Sequence, residues 1–244
     1  HSCRMVQYGI AAPADWLALP GFTPRRTADA LATDFTVRLP GGRMADFTVP
    51  MPGAFSVQDA LAALAAAGVL GVPVAAMQAG LRGAVVRGRC EVVPCPTPFT
   101  VVLDYAHNAA AAESVLTALR AYHPRRLITV FGCGGGSRLR RTGMGEACAR
   151  LADLCIVTED NSRGEPLEDI FADIRAGMDR VQNGAACVEI PNRRDALLYA
   201  LGLGREGDIL AVLGKGHETT IDRDGRKVPF EDAAVVREYM ERVK

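Results

Sequence analysis

The sequence predicts an α/β protein in which a mostly parallel sheet is covered by flanking helices. From residue 99 onwards, apolar segments of strand length alternate with segments of helix length, the pattern of βαβ units. The strand candidates are 99–104, 127–131, 154–158, 186–190 and 209–213. The helix candidates lie between them, near 109–122, 143–152, 166–178 and 193–203. A hairpin around Asp224-Gly225 and a helix over 233–243 complete this region.

The first part of the chain begins with short strands and turns. Residues 5–10 form one strand candidate. A hairpin is expected where the segments 35–39 and 47–51 flank Pro40-Gly41-Gly42, because glycines at a turn let the chain reverse direction.

Two helices are predicted next, followed by a domain boundary. The segment 58–68 is rich in alanine, and 74–81 starts directly after Pro73, a favoured first-turn residue. The proline-rich stretch 94–98 then separates two patterns, so we predict domains at 1–95 and 96–244. The first is expected to be an incomplete α+β unit whose helix lacks part of the sheet it packs on.

The composition indicates a soluble globular protein. Of 244 residues, 49% are hydrophobic and 23% are charged, with a formal net charge of +0. This balance argues against nucleic acid or an anionic membrane as a partner. No apolar run approaches the roughly 20 residues of a membrane span. We also expect a cytoplasmic, monomeric protein without membrane insertion. The chain begins with His1 rather than Met, which suggests a piece of a longer protein.

The cysteines are expected to be reduced and mostly buried. None of the seven forms a C-x-x-C pair, and several fall within strand or helix patterns. Because the ligand spacing of a zinc site is missing, we predict no metal site from these residues.

A glycine-rich segment follows the predicted strand 127–131. It contains Gly132 and the run 134–136, and the three arginines Arg138, Arg140 and Arg141 come next. Glycines, cations and a helix N-terminus together favour binding of an anion. The spacing is neither G-x-G-x-x-G nor G-x-x-x-x-G-K-[ST], so the segment does not name its ligand. A βα turn with a solvated basic face explains it equally well.

Three more predicted strands end in polar clusters, namely 104–108, 159–165 and 214–218. Taken singly, each has a structural explanation: His107 or His217 as a structural histidine, and Asp160-Asn161 as a turn before the next helix. Ligands of open parallel sheets bind outside the carboxyl ends of the strands. Four such clusters at strand ends therefore favour a functional site.

In chain order these clusters read D-Y-A-H-N, V-F-G-C-G-G, D-N-S-R-G-E and G-K-G-H-E. That order resembles the C-terminal part of the Mur ligases, most closely those of the UDP-N-acetylmuramoyl-tripeptide synthetase (MurE) type. Upstream, the segment 52–63 resembles part of the family's central ATPase domain, and Gly88-Arg-Cys-Glu91 resembles its G-R-x-E junction.

The resemblance implies a Rossmann-like C-terminal ligase domain preceded by a remnant of the central ATP-binding domain. It implies an ATP- and Mg²⁺-dependent amino-acid ligase of peptidoglycan synthesis, which extends UDP-MurNAc-L-Ala-D-Glu by a third residue through an acyl phosphate. The nucleotide contacts it implies are Arg89 and Asp104 on the ribose, Asp59 near adenine, and His107 and Asn108. The contacts implied for the incoming amino acid are Arg141, Asp160, Asn161, Arg163, Gly214 and Glu218.

The amino acid is expected to be meso-diaminopimelate rather than L-lysine. Arg163 in the D-N-S-R segment is suited to grip a carboxylate, and lysine would instead bring a bare ammonium toward it. A structural alternative is that Arg163 pairs with Glu165 or Glu168.

The sequence departs from the family pattern at several points. Ser162 replaces the usual proline, Asp59 replaces an asparagine, and a shortened arginine segment makes Arg140 an alternative to Arg141. No G-K-[ST] loop occurs in the chain, and the N-terminal UDP-sugar domain, the carbamylated lysine and most Mg²⁺ ligands are expected in a missing segment. We therefore expect the chain alone not to ligate. The alternatives are a cyanophycin synthetase-like amide ligase and a non-catalytic module that binds a nucleotide or amino acid.

Overall fold

The computed structural model describes residues 3, 5–11, 13–27, 30–94, 96–182 and 184–242. The chain forms two compact units, residues 1–85 and 86–244. This division lies ten residues before the predicted boundary at 95/96. The reason is that a short strand, β6 (Glu91–Val93), pairs with the sheet of the second unit.

The first unit is a small mixed sheet followed by two helices. The strands are β1 (Tyr8–Gly9), β2 (Trp16–Ala18), β3 (Thr23–Arg26), β4 (Leu31–Arg38) and β5 (Met44–Val49). The helices are α1 (Gly53–Val69) and α2 (Val74–Arg82). The predicted hairpin is present as β4 and β5, with Phe35 opposite Phe47. Helix α1 begins five residues earlier than predicted, and only two residues of the strand candidate 5–10 pair in the sheet.

The first unit has a hydrophobic core of its own, which corrects the prediction of a partly unpacked helix. One side of α1 is buried, with Val57 and Leu61 fully inaccessible to solvent, and it packs with Phe35 and Phe47 of the sheet. The other side of α1 consists mainly of alanine and polar residues and is exposed. The five strands therefore suffice to cover the apolar stripe of this helix.

The second unit is an α/β domain built on a six-stranded sheet. Beyond β6, its strands are β7 (Thr100–Asp104), β8 (Leu127–Phe131), β9 (Leu154–Val157), β10 (Ala186–Glu189) and β11 (Ile209–Leu213). Their spatial order is β10-β9-β8-β11-β7-β6. All neighbours are parallel except β6, which runs antiparallel to β7. This confirms the predicted fold class of a mostly parallel sheet.

Helices cover both faces of this sheet. They are α3 (Ala109–Arg120), α4 (Arg138–Leu151), α5 (Leu167–Met178), α6 (Arg193–Leu203) and α7 (Asp232–Arg242). Side chains of α6 and α7 pack with alternate strand residues such as Leu103 and Val130. The strand residues between them, such as Val102 and Phe131, are equally buried, and α3 and α4 contact the sheet through β11 and β9.

Two elements of the second unit differ from the prediction. Helix α4 begins at Arg138, five residues earlier than predicted, because Ser137 caps it by accepting from the Arg140 N–H at 3.4 Å. All three predicted loop arginines therefore belong to its first turn. A two-stranded hairpin, β12 (Thr220–Arg223) and β13 (Arg226–Pro229), follows β11 and turns at Asp224-Gly225 as predicted.

The cysteines follow the expectation where the structure describes them. Cys90, Cys133, Cys148 and Cys155 are buried and free, whereas Cys3 and Cys187 are exposed; Cys95 lies outside the described residues. Burial raises the pKa of the Cys133 and Cys155 thiols to about 12, so these thiols are protonated at neutral pH.

None of the helices in the described ranges is long and apolar enough to cross a bilayer.

Candidate functional site

The four polar clusters come together at one edge of the second unit. Their strands β9, β8, β11 and β7 are neighbours, and β11 lies between the other clusters although it comes last in sequence. The Gly214 N–H donates to the Asp104 carbonyl at 3.1 Å. Gly214 has φ +108, and a Cβ there would lie 2.6 Å from Asp160 Oδ2. Three of the clusters thus meet at a glycine that has no space for a side chain.

Asp104 is held mainly by backbone groups. Its Oδ1 accepts from the Ala106 N–H and its Oδ2 from the Cys90 N–H, both at 2.7 Å. Burial raises the pKa of this carboxyl, although the two backbone donors and the nearby Arg89 oppose that rise. Cys90 has the left-handed value φ +45, so the Asp104 carboxylate also stabilises a strained residue of the G-R-C-E segment.

An exposed cluster of rings and a cation surrounds Tyr105. The guanidinium of Arg89 lies 4.9 Å from the centre of the tyrosine ring. The His107 ring packs edge-on against it at 4.9 Å, and the His217 ring lies at 5.6 Å. Arg89 and His107 therefore lie on the same exposed surface around Tyr105. The sequence reasoning missed Tyr105, although it belongs to the D-Y-A-H-N cluster.

Two further predicted nucleotide contacts, Asn108 and Asp59, belong to different units of the chain. Asn108 is the N-cap of α3, where its Oδ1 accepts from the Ala111 N–H at 3.0 Å. Asp59 is exposed on α1 and belongs to the first unit.

The three arginines at the start of α4 contact carboxylates and carbonyls of this chain, and Arg138 pairs with Asp173 at 3.1 Å. Arg141 is buried and pairs with Glu165 at 2.6 Å and with Asp173 at 2.8 Å. The Arg140 Nη2 donates to the carbonyls of Gly134 and Gly135, both at 3.4 Å. Two hydrogen bonds lower the pKa of the Glu165 carboxyl: the larger effect comes from the Gly136 N–H and the next from Arg141. The charge of Arg141 is thus neutralised within the domain.

A pocket with a volume of about 390 Å³ opens beside the β12–β13 hairpin. It is lined by Asn161, Arg163, His217, Glu218, Thr219, Thr220, Asp222 and Lys227. Three of the six predicted amino-acid contacts, Asn161, Arg163 and Glu218, line this pocket. Arg141, Asp160 and Gly214 are not among its lining residues. The hairpin residues were missed, because nothing in the sequence indicates that the hairpin folds against the D-N-S-R segment.

Asn161 ties two walls of this pocket together. Its Nδ2 donates to Glu218 Oε2 at 3.1 Å, and its Oδ1 accepts from the Asp222 N–H at 2.9 Å. The preceding residue, Asp160, accepts from the Asn161 N–H through its Oδ1 at 2.6 Å. The two residues position the pocket walls by these bonds.

Lys215 is the most notable residue that the sequence reasoning missed. Its side chain is fully buried, and its Nζ donates to Glu218 Oε2 at 2.8 Å and to the Thr220 carbonyl at 2.6 Å. Partial burial would raise the pKa of Glu218, but the hydrogen bonds from Lys215 and Asn161 outweigh it and lower that pKa. In the sequence, only the position of Lys215 within the G-K-G-H-E segment indicated that it belongs to the site.

Arg163 is one of two exposed cations among the lining residues of the pocket, the other being Lys227. Arg163 has the left-handed value φ +55, and it forms no ion pair with any residue that the structure describes. The structural alternative, a pair with Glu165 or Glu168, is therefore wrong: Glu165 is bound by Arg141 instead.

A buried ionic network connects the elements that surround the pocket. Arg193 is fully buried and donates to both oxygens of Asp232 at 2.8 Å and to the Leu213 carbonyl at 3.0 Å. Glu159 accepts from the Arg193 N–H at 3.1 Å, and Arg223 of the hairpin donates to it at 2.7 Å. The network connects α6, α7 and the hairpin to the ends of β9 and β11.

These contacts define an α/β domain of the doubly wound class with a charged pocket beyond the carboxyl ends of its parallel strands. Residues 88–216 match the family model described as "Mur ligase, glutamate ligase domain". More than half of the chain is included in that match, and the chain belongs to the Mur ligase family.

Curated relatives resemble almost the whole chain. A UDP-N-acetylmuramyl-tripeptide synthetase of Roseiflexus sp. is 39% identical over 97% of this chain, which spans 46% of the relative. A UDP-N-acetylmuramoyl-L-alanyl-D-glutamate–2,6-diaminopimelate ligase of Geobacillus thermodenitrificans is 36% identical over 96% of this chain and 46% of the relative. The chain thus spans less than half the length of these relatives.

Solved structures share the fold. A UDP-N-acetylmuramoyl-L-alanyl-D-glutamate–2,6-diaminopimelate ligase is similar with a TM-score of 0.68 and 30% identity, over 98% of this chain and 48% of that one. The UDP-N-acetylmuramate-alanine ligase of Thermotoga maritima has the same TM-score at 19% identity, over 98% and 47%, which supports the fold alone.

Proposed function

We propose that the chain is part of an ATP-dependent ligase that adds meso-diaminopimelate to UDP-MurNAc-L-Ala-D-Glu through an acyl phosphate. Residues 1–95 would belong to its central ATP-binding domain and 96–244 to its C-terminal domain. The relatives named above as 2,6-diaminopimelate ligases support this proposal. The observation that carries it is the pocket beside the hairpin, which is lined by Arg163, and Arg163 forms no ion pair with any residue that the structure describes.

The charges of the pocket favour diaminopimelate over lysine. The exposed Arg163 guanidinium offers a fork of donors that a carboxylate can accept from bidentately. Carboxylates of the opposite wall, including Glu218, suit an ammonium group. The distal end of diaminopimelate carries both groups, whereas lysine ends in an ammonium that Arg163 would repel.

The surface around Tyr105 is the proposed nucleotide side. Arg89, stacked on Tyr105, is exposed and would donate to the ribose hydroxyls of ATP, with His107 beside it. Asp104 accepts from two backbone N–H groups and from the Cys90 side chain, so its bonds mainly hold the G-R-C-E segment. We propose that Asp104 positions Arg89, and that Asn108 acts through the start of α3. Asp59 stays a proposed adenine contact.

The described residues of the second unit offer no ligand set for Mg²⁺. Within the described ranges, no three His, Cys, Asp or Glu side chains come together as metal ligands. That the 244 residues alone do not ligate, and that the protein is a cytoplasmic monomer, both stay predictions.

Calorimetric titration of the 244-residue chain with meso-diaminopimelate and with L-lysine tests the proposal. We expect diaminopimelate to bind more tightly, and Arg163→Ala to weaken its binding by roughly 10- to 100-fold, the loss of a charge-assisted pair. Arg194→Ala, at a partly exposed arginine of α6 paired with Glu238, is the matched control and should bind normally. Tighter binding of lysine, or unchanged binding by Arg163→Ala, would refute the assignment.

A further inference from the structure

A second pocket, with a volume of about 760 Å³, lies on the polar face of the sheet in the first unit. Successive side chains of β4 and β5 alternate between the two faces of this sheet, and Phe35 and Phe47 belong to the hydrophobic core. The polar residues that line the pocket are Thr23, Arg25, Asp34, Thr36, Asp46, Thr48, Gln78 and Arg82. The volume is within the range of small-molecule sites, and none of the functions described above uses this pocket.

One of the two carboxylates in the pocket is balanced within the chain. Arg25 Nε donates to Asp34 Oδ2 at 2.9 Å, and Thr48 Oγ1 donates to Asp34 Oδ1 at 2.6 Å. Asp34 therefore has both an opposite charge and a hydroxyl as partners, and a ligand gains little from contacting it.

The other carboxylate, Asp46, is oriented but not balanced. Thr36 lies directly opposite Asp46 in the sheet, and its Oγ1 donates to Asp46 Oδ1 at 2.6 Å. Asp46 Oδ2 accepts no hydrogen bond from any residue that the structure describes, and the carboxylate has no cation of those residues within 4.0 Å. Because Asp46 is exposed and lines the pocket, a ligand can reach its carboxylate.

A cation without a partner lines the same pocket. Gln78 Nε2 donates to the Asp46 carbonyl at 2.8 Å, which ties α2 to β5. Arg82 follows Gln78 by one turn on the same side of α2, is exposed, and forms no ion pair with any described residue. An unpaired guanidinium and an unpaired carboxylate are thus held on two connected elements without approaching each other within 4.0 Å.

We infer that this pocket binds a small zwitterion, a free α-amino acid, whose ammonium donates to Asp46 and whose carboxylate accepts from Arg82. The guanidinium presents a fork of donors that matches a carboxylate, and the oriented Asp46 offers a free oxygen to an ammonium. A molecule with only one of these charges leaves either Asp46 or Arg82 unmatched. The inference goes beyond the proposed function and does not rest on it, because all lining residues lie in the first unit and none is a proposed contact for ATP or diaminopimelate.

The test compares L-alanine with two analogues that each lack one charge: propionate, without the ammonium, and ethylamine, without the carboxylate. In titrations of the isotope-labelled 244-residue chain followed by nuclear magnetic resonance, L-alanine should shift the backbone signals of Asp46 and Arg82. It should also bind about tenfold or more tightly than either analogue, since each analogue loses a charge-assisted hydrogen bond.

Two variants remove the proposed partners one at a time. Asp46→Asn and Arg82→Met should each weaken L-alanine binding about tenfold or more, and both should fold because the two positions are exposed. Arg43→Met is the matched control, since Arg43 is an exposed arginine between β4 and β5 that does not line the pocket, and it should bind L-alanine as the parent chain does. Unchanged binding by either of the first two variants, equal binding of propionate or ethylamine, or no shift of the Asp46 and Arg82 signals in the parent chain would overturn the inference.

Discussion

The Nζ atom of Lys215 lies 2.8 Å from Oε2 of Glu218 and 4.0 Å from Oδ1 of Asp160. The lysine is fully buried, whereas the Glu218 side chain keeps 29% of its surface exposed at the pocket. A buried cation thus fixes the orientation of a carboxylate that contacts solvent. This relationship explains how a short G-K-G-H-E segment builds one wall of the pocket.

Removing this cation should destabilise the second unit. In Lys215→Met, the Thr220 carbonyl and Glu218 lose a donor, and Asp160 loses the nearest positive charge. We expect the free energy of unfolding to fall by about 2–4 kcal/mol, less than for a fully buried pair because Glu218 is partly solvated. Chemical denaturation monitored by circular dichroism measures the loss. Lys227→Met, at an exposed position, should change stability by less than about 0.5 kcal/mol.

Glu218 should make stability depend on pH in a defined direction. Its pKa in the folded protein lies below the ordinary value of 4.5, so its ionised form stabilises the fold. The contribution is fully present above pH 4.5 and is lost as the pH falls through the lowered pKa. The difference in unfolding free energy between the parent chain and Glu218→Gln should therefore be constant near neutral pH and shrink in acid. A difference that grows on acidification would contradict the assigned direction.

The buried network predicts that substitutions at two adjacent arginines of α6 lower the free energy of unfolding by very different amounts. Arg193→Met leaves Asp232 buried without its bidentate partner and should lower the free energy of unfolding by about 3–5 kcal/mol. Arg194→Met removes only a partly exposed pair with Glu238, and its effect should be far smaller. Urea titration of both variants checks this contrast, and similar losses would show that burial does not govern the network.

Gly88 should not tolerate a side chain. It has φ +66, and a Cβ there would lie 2.2 Å from the backbone nitrogen of His217. Gly88→Ala should therefore displace the G-K-G-H-E segment, lower the melting temperature and weaken ligand binding at the pocket. Gly202→Ala is the control, because that glycine is in α6 with no atom within 4 Å of its Cβ position. It should leave binding unchanged and stabilise the helix by up to about 1 kcal/mol.

The alternation of apolar and helical segments predicted most elements of the second unit. The bounds of β8 and β11 agree with the predicted ranges 127–131 and 209–213, because strands buried on both faces are continuously apolar. Strand β6 was missed because a segment of three residues is too short to show an alternation of apolar and polar side chains. Helix α4 begins earlier than predicted because Ser137 acts as its N-cap. The position of β11 between β7 and β8 could not be derived, since spacing along the chain does not specify spatial order.

The sequence by itself determined which chemical groups gather at the strand ends, because parallel strands bring their carboxyl ends to one edge of the sheet. Only the tertiary structure decided which charges remain available. Arg141 is neutralised by Asp173, 32 positions later by residue number, and Lys215 is fully buried, whereas Arg163 and Asp222 Oδ1 lack partners among the described residues. Ion pairing depends on burial and on contacts between distant segments, and neither quantity can be read from local sequence.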